Sequence, residues 1–197
     1  MKRIIAIVLI LAVLAMVGYR FFINKDEEPL SDTTRPIELK KNSDAFTQSF
    51  DQLLEKYYAL KESFVIADTL KVNKAAAELM VAADSLQLSE LKGDSTGLIA
   101  ETAKSFTGSM STSGDALRQE AEIEAKRKEF EIISDALWSL VRTVNYDGSQ
   151  VYYQFCPMAF NDKGAYWLSN TPQIRNPYFG DKMLTCGSTQ DSLNLQQ

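Results

Sequence analysis

The residues best suited to chemistry are two short sulfur-bearing runs in the last quarter of the chain, Cys156-Pro157-Met158 and Met183-Leu184-Thr185-Cys186-Gly187. Pro157 disfavours the helical region for the residue before it and pushes Cys156 toward an extended conformation. Two residues apart on an extended chain, Cys156 and Met158 point to one side. Met183 and Cys186 stand three apart, which puts them on one face of a single helical turn that Gly187 is suited to end. If the two runs meet, two thiolates and two thioethers face a common space. Soft donors of this type select Cu(I), and a closed tetrahedral zinc site wants more Cys or His than the chain contains. The same pair, Cys156 and Cys186, would equally serve as one disulfide in an oxidising compartment, closing a loop of about 30 residues worth ~3 to 4 kcal/mol in the chain-entropy model. Met158 and Met183 would then be ordinary packing. Two unrelated buried thiols are the third reading of the pair.

Other chemistries are poorly served. The chain has no His, which removes the usual general base near neutral pH, the commonest metal-binding nitrogen and every hydrolase triad built on imidazole. Acidic residues are plentiful, yet no pair has a spacing that marks a catalytic dyad, so the expectation is a protein that is not an enzyme. Tyr152, Tyr153, Trp167 and Tyr178 would form a stacking platform for a flat ligand if their faces were open, although aromatic side chains are more often core. Asn161-Asp162-Lys163-Gly164 and Asn176-Pro177 read as turns and not as a calcium loop.

The elements that must position these residues are mostly helical. From Asp44 the apolar positions Phe46, Phe50, Leu53, Leu54, Tyr57, Leu60 and Phe64 recur at helical spacing and predict one long amphipathic helix to about Ile66. Asp68 is suited to cap a second helix, whose small-residue face includes Ala75, Ala76, Ala82 and Ala83. Gly93-Asp94-Ser95 marks a break. Ile99, Ala103, Phe106 and Met110 give a weaker third helix, ended by a Gly- and Ser-rich loop at 108–114. Ile123, Arg127, Phe130, Ile133, Leu137, Leu140, Val141 and Val144 give a strong fourth. Four helices with short connections suggest an all-α fold, an antiparallel four-helix bundle. It is followed by an irregular segment rich in Cys, Met and aromatics, with a short strand or hairpin from Val151 to Phe155.

The N-terminus reads as targeting sequence. Met1-Lys2-Arg3 precedes an unbroken apolar run from Ile4 to Gly18, extended around Arg20 by Tyr19 and Phe21 to Ile23. Residues 1–25 are therefore expected to be a signal-anchor transmembrane segment, or a signal peptide if cleaved, with Lys2 and Arg3 held in the cytoplasm. Residues 26–42, polar with Pro29 and Pro36, form a tether, residues 43–190 the helical domain and residues 191–197 a tail. The expected location is the cell envelope, anchored in the inner membrane with the domain in the periplasm, or released there. The first 25 residues hold four bases and no acid, so the rest of the chain carries 17 bases against 26 acids. Such a domain repels nucleic acid.

The run Phe155-Cys156-Pro157-Met158-Ala159, followed by Gly164-Ala165-Tyr166-Trp167-Leu168, Ile174-Arg175-Asn176-Pro177-Tyr178-Phe179-Gly180 and Met183-Leu184-Thr185-Cys186-Gly187, resembles domain of unknown function 3347 (DUF3347). With Tyr58-Ala59-Leu60-Lys61 and Arg127, the resemblance covers roughly residues 45–190. That family occurs in exported proteins of the Bacteroidetes and joined to periplasmic adaptors of heavy-metal efflux pumps. The Cys-Pro-Met core is also similar to the Tyr-Thr-Cys-Pro-Met-His-Pro motif of short heavy-metal-binding domains, with Ala159 where that motif has His. The resemblance implies handling of Cu(I) or another soft ion, with components of a metal efflux system as partners; the residues that spacing offers for it are Cys156 and Cys186, with Met158 and Met183 as auxiliary ligands. The alternative expectation is a non-catalytic envelope interaction domain with a structural Cys156–Cys186 disulfide.

Overall fold

The computed structural model describes residues 42–193. The expected membrane segment, nearly all of the tether and the last four residues of the tail lie outside the described residues. Among the described residues no helix is long and apolar enough to cross a membrane.

Four helices make up just over half of the described residues: α1 (Asp44–Val65), α2 (Thr69–Asp84), α3 (Leu98–Gln119) and α4 (Ile123–Thr143). The first two begin on side-chain caps. Ser43 Oγ accepts the Phe46 N–H at 3.1 Å and Asp68 Oδ1 accepts the Lys71 N–H at 3.0 Å, satisfying donors that a helix start leaves without a partner. The periodic apolar residues of α1 and α4 are buried, among them Phe46, Phe50, Tyr57, Phe64, Phe130 and Leu137. Each such side chain contributes about 1.5–3 kcal/mol. Helices consecutive in the chain pack against one another.

The loop expected at 108–114 is instead the middle of α3. Its hydroxyls fold back on the helix: Thr102 donates to Leu98 O at 2.8 Å, Ser109 to Ser105 O at 3.1 Å and Thr112 to Gly108 O at 2.9 Å. At Gly114 a Cβ would stand 2.7 Å from Met80 Cγ. The small residues there let α3 approach α2 closely; they do not break the helix.

The all-α expectation needs a second correction. After the turn at Tyr146 to Gly148 the chain forms β1 (Val151–Cys156), β2 (Ala165–Ser169) and β3 (Ser188–Leu193), a small antiparallel sheet in the order β2-β1-β3. The β1–β2 hairpin matches the expected extended stretch. β3 has no apolar alternation, because Ser188 to Ser192 are all exposed, so periodicity could not reveal it. Stacked aromatics join the sheet to α4: Trp138 lies on Tyr153 at 4.2 Å between ring centroids, and Tyr153 on Tyr166 at 4.5 Å, both nearly parallel.

Candidate functional site

β1 ends at Cys156, which is fully buried, and Cys186 lies two residues before β3. Pairing of Phe155 with Ser188 fixes where β3 starts, and so brings Cys186 beside Cys156. The two Sγ atoms are 3.1 Å apart and unbonded. Residues from opposite ends of a 30-residue separation therefore meet, as either a metal site or a disulfide requires.

The segment that carries Cys186 is held by buried polar groups. Asn176 has no exposed surface; its Nδ2 donates to Cys186 O, its N–H to Leu184 O, and its Oδ1 accepts the Tyr178 N–H, each at 2.8 Å. Arg127, buried on α4, donates from Nε to Pro177 O at 2.9 Å. Gln154 Nε2, at the centre of β1, donates to Thr171 O at 3.1 Å and Pro172 O at 3.2 Å. Gly187 has φ +135, and a Cβ there would lie 2.7 Å from Phe155 O and 2.8 Å from the Trp167 ring. Only glycine lets the chain pass this close to β1 on its way from Cys186 to β3.

These positioning residues were hard to find in the sequence. Asn176-Pro177 reads as a turn dipeptide, and nothing in it announces three hydrogen bonds in the interior. Arg127 falls on the periodic face of α4 and so is legible as an inward residue, but its partner is not.

The two methionines are placed differently from the expectation. β1 ends before Met158, whose φ −90 and ψ −8 belong to the helical region, so the alternation that would align it with Cys156 is broken. Met158 is 45% exposed and lines a cavity to which neither cysteine contributes. Met183 is half-buried, and its carbonyl accepts the Cys186 N–H at 3.0 Å. That is a turn, although Met183 itself, at φ −149 and ψ 54, is not helical. The site that forms is the thiol pair.

The hydrogen bond with Cys156 first, and burial second, push the Cys186 thiol up to about 11. A soft ion must therefore displace a firmly held proton. Two thiolates on one ion at about 2.3 Å each and a tetrahedral angle would stand about 3.8 Å apart, so the sulfurs must turn outward to share an ion. Among the described residues there is no cluster of three or more Cys, Asp or Glu side chains of metal-binding geometry. The donor set thus fits a thiophilic ion of low coordination number and not a closed zinc site.

The expected aromatic platform does not form. Trp167 and Tyr178 are buried and Tyr153 is covered on both faces by Trp138 and Tyr166. Trp167 Nε1 and Gln154 Oε1, on paired residues of β2 and β1, have no hydrogen-bond partner among the described residues.

No curated protein and no solved structure matches the chain. One family model does match, over residues 53–148, and its span ends at Gly148, ahead of both cysteines. The helical part of this chain, from Leu53 of α1 to the turn after α4, belongs to the family described as "Protein of unknown function (DUF3347)".

Proposed function

We propose that this protein is an extracytoplasmic, non-catalytic domain that binds Cu(I) or a similar soft ion through Cys156 and Cys186 in their reduced form. The observation that carries the reading is the convergence of two thiols, 3.1 Å apart, at the foot of a sheet that holds one of them rigidly. Binding one ion releases two protons and leaves a bis-thiolate complex. Met183, on the same turn as Cys186, would be the nearer auxiliary thioether in sequence; Met158, the other, would have to leave its own cavity first. The four helices act as an antiparallel bundle that carries the sheet. The apolar run from Ile4 to Gly18 behind Lys2 and Arg3 supports tethering to the inner membrane with the domain in the periplasm. There the ion would be buffered or passed to components of an efflux system.

A second reading rests on the same distance. At 3.1 Å the sulfurs are closer than two ligands of one ion and farther than the roughly 2.05 Å of a disulfide. Closure to a structural disulfide in an envelope interaction domain shortens the separation by about 1 Å, and sharing an ion lengthens it by about 0.7 Å, so either state is a short movement away. The two readings are compatible in one molecule, since a dithiol can hold the ion when reduced and close when oxidised.

A competition titration of Cu(I) against a chromogenic chelator, anaerobic and with the full-length reduced chain, tests the proposal. Stoichiometric binding that disappears in Cys156→Ser and weakens in Met183→Leu is the expected result. A reduced, folded protein that takes no Cu(I) from the chelator would overturn it and leave the structural disulfide.

A further inference from the structure

The segment after β1 adopts a conformation that L-amino acids avoid. Phe160, Asn161 and Asp162 have φ of 52, 58 and 63, three successive left-handed residues with no glycine among them. Left-handed backbone costs roughly 1–2 kcal/mol per residue and is normally visited by single residues. The turn is kept in place by the Gly164 N–H, which donates to Ala159 O at 3.0 Å, and by Phe160, whose ring packs edge-on against buried Tyr178 at 5.3 Å. Strained backbone of this kind concentrates where a ligand is held.

This turn forms one wall of a cavity of about 590 Å³, within the range of roughly 300–1,000 Å³ that small-molecule sites occupy. The first turns of α4 form a second wall and the Tyr178-Phe179 segment a third. Phe160, Phe179 and Met158 supply apolar surface. Lys128, from α4, and Lys163, from the end of the turn, supply two ammonium groups that take part in no ion pair among the described residues. Of the lining acids, Glu124 is taken up by Arg127 at 2.6 Å, which leaves Asp162. Two exposed lysines outside those ion pairs thus flank the aromatic wall, on a domain whose overall charge is negative.

We infer that this cavity binds a small apolar carboxylate, its body against Phe160 and Phe179 and its anionic end held by Lys128 and Lys163. Each ammonium offers three donors and no acceptor, so a carboxylate accepts from both and matches their charge, where a neutral ligand can accept but brings no opposing charge. The site is independent of the thiol pair, because neither cysteine contributes to it.

Calorimetric titration of the full-length chain with 4-phenylbutyrate, and in parallel with its neutral analogue 4-phenylbutanamide, tests the inference. Both lysines are exposed, so the Lys128→Ala/Lys163→Ala double variant retains its packing. The expected result is saturable binding of the carboxylate, at least tenfold tighter than that of the amide, and at least tenfold weaker in the double variant. Equal affinity for acid and amide, unchanged affinity in the double variant, or no saturable heat at millimolar ligand would each overturn it.

Discussion

The N–H of Leu168 in β2 donates to the hydroxyl of Tyr57 in α1 at 3.1 Å. That hydroxyl also lies 2.7 Å from Ser134 Oγ, and Ser134 in turn donates to Phe130 O at 2.8 Å. A chain of three hydrogen bonds therefore runs from the sheet through α1 into α4, all of it buried. The edge of β2 is satisfied by a side chain from a helix and not by another strand. Tyr57→Phe keeps the ring and its stacking on Phe130 but leaves the Leu168 N–H with no acceptor. A buried amide without a partner costs about 1–3 kcal/mol, and urea unfolding should show a midpoint lowered accordingly with an unchanged slope.

Gly187 is the second point where geometry admits one residue only. In Gly187→Ala the new methyl would meet Phe155 O, a backbone atom that cannot turn aside, at a φ of +135 that alanine resists. The substitution is expected to destabilise the fold by at least about 2 kcal/mol. It should also move Cys186 away from Cys156. Diamide would then form the intramolecular disulfide more slowly in this variant than in the wild type, a readout that general destabilisation under native conditions does not produce.

The helices were legible because their apolar residues repeat with the helical period over 16 to 22 residues. The cap at Asp68 was legible because its chemistry is local. Local signals failed where a distant partner decides the conformation. Gly114 looks like a loop residue until Met80 is brought against it, and β3 looks like a tail until β1 offers its edge. At the site, the meeting of Cys156 and Cys186 was open as a conjecture from the sequence, but the parting of Cys156 from Met158 was not. Alternation along an extended chain is a sound rule, and it failed because the strand ends at Cys156, two residues before Met158.

Oxidation of the thiol pair should stabilise the protein. The bond would close a loop between residues separated by 30 positions, and the chain-entropy model gives ~3 to 4 kcal/mol for a loop of that size. Urea unfolding of diamide-treated protein should be shifted upward relative to protein kept in excess reductant. The Cys186→Ser variant should show no difference between the two conditions. An oxidised wild type no more stable than the reduced form would mean that the sulfurs cannot reach bonding distance without distorting β1.

The reduced pair should be slow to alkylate at neutral pH, and the reason lies in which form of Cys186 the neighbouring thiol favours. Only the thiolate attacks iodoacetamide. The hydrogen bond with Cys156, then burial, raise the Cys186 thiol to about 11, so the neutral form is favoured and the thiolate is scarce below that pH. The rate at Cys186 should therefore climb about tenfold per pH unit from pH 8 and level off only near 11, whereas a free thiol with a pKa of about 8.5 levels off near pH 9. Cys156→Ala removes the first cause of the shift and leaves the second. Its Cys186 should react faster than the wild type at pH 8 and reach its plateau at lower pH. Mass spectrometry of the Cys186 peptide after timed alkylation reads both curves. If the variant and the wild type share one profile, the two thiols do not interact in solution, and neither a shared ion nor a shared bond would follow from their placement.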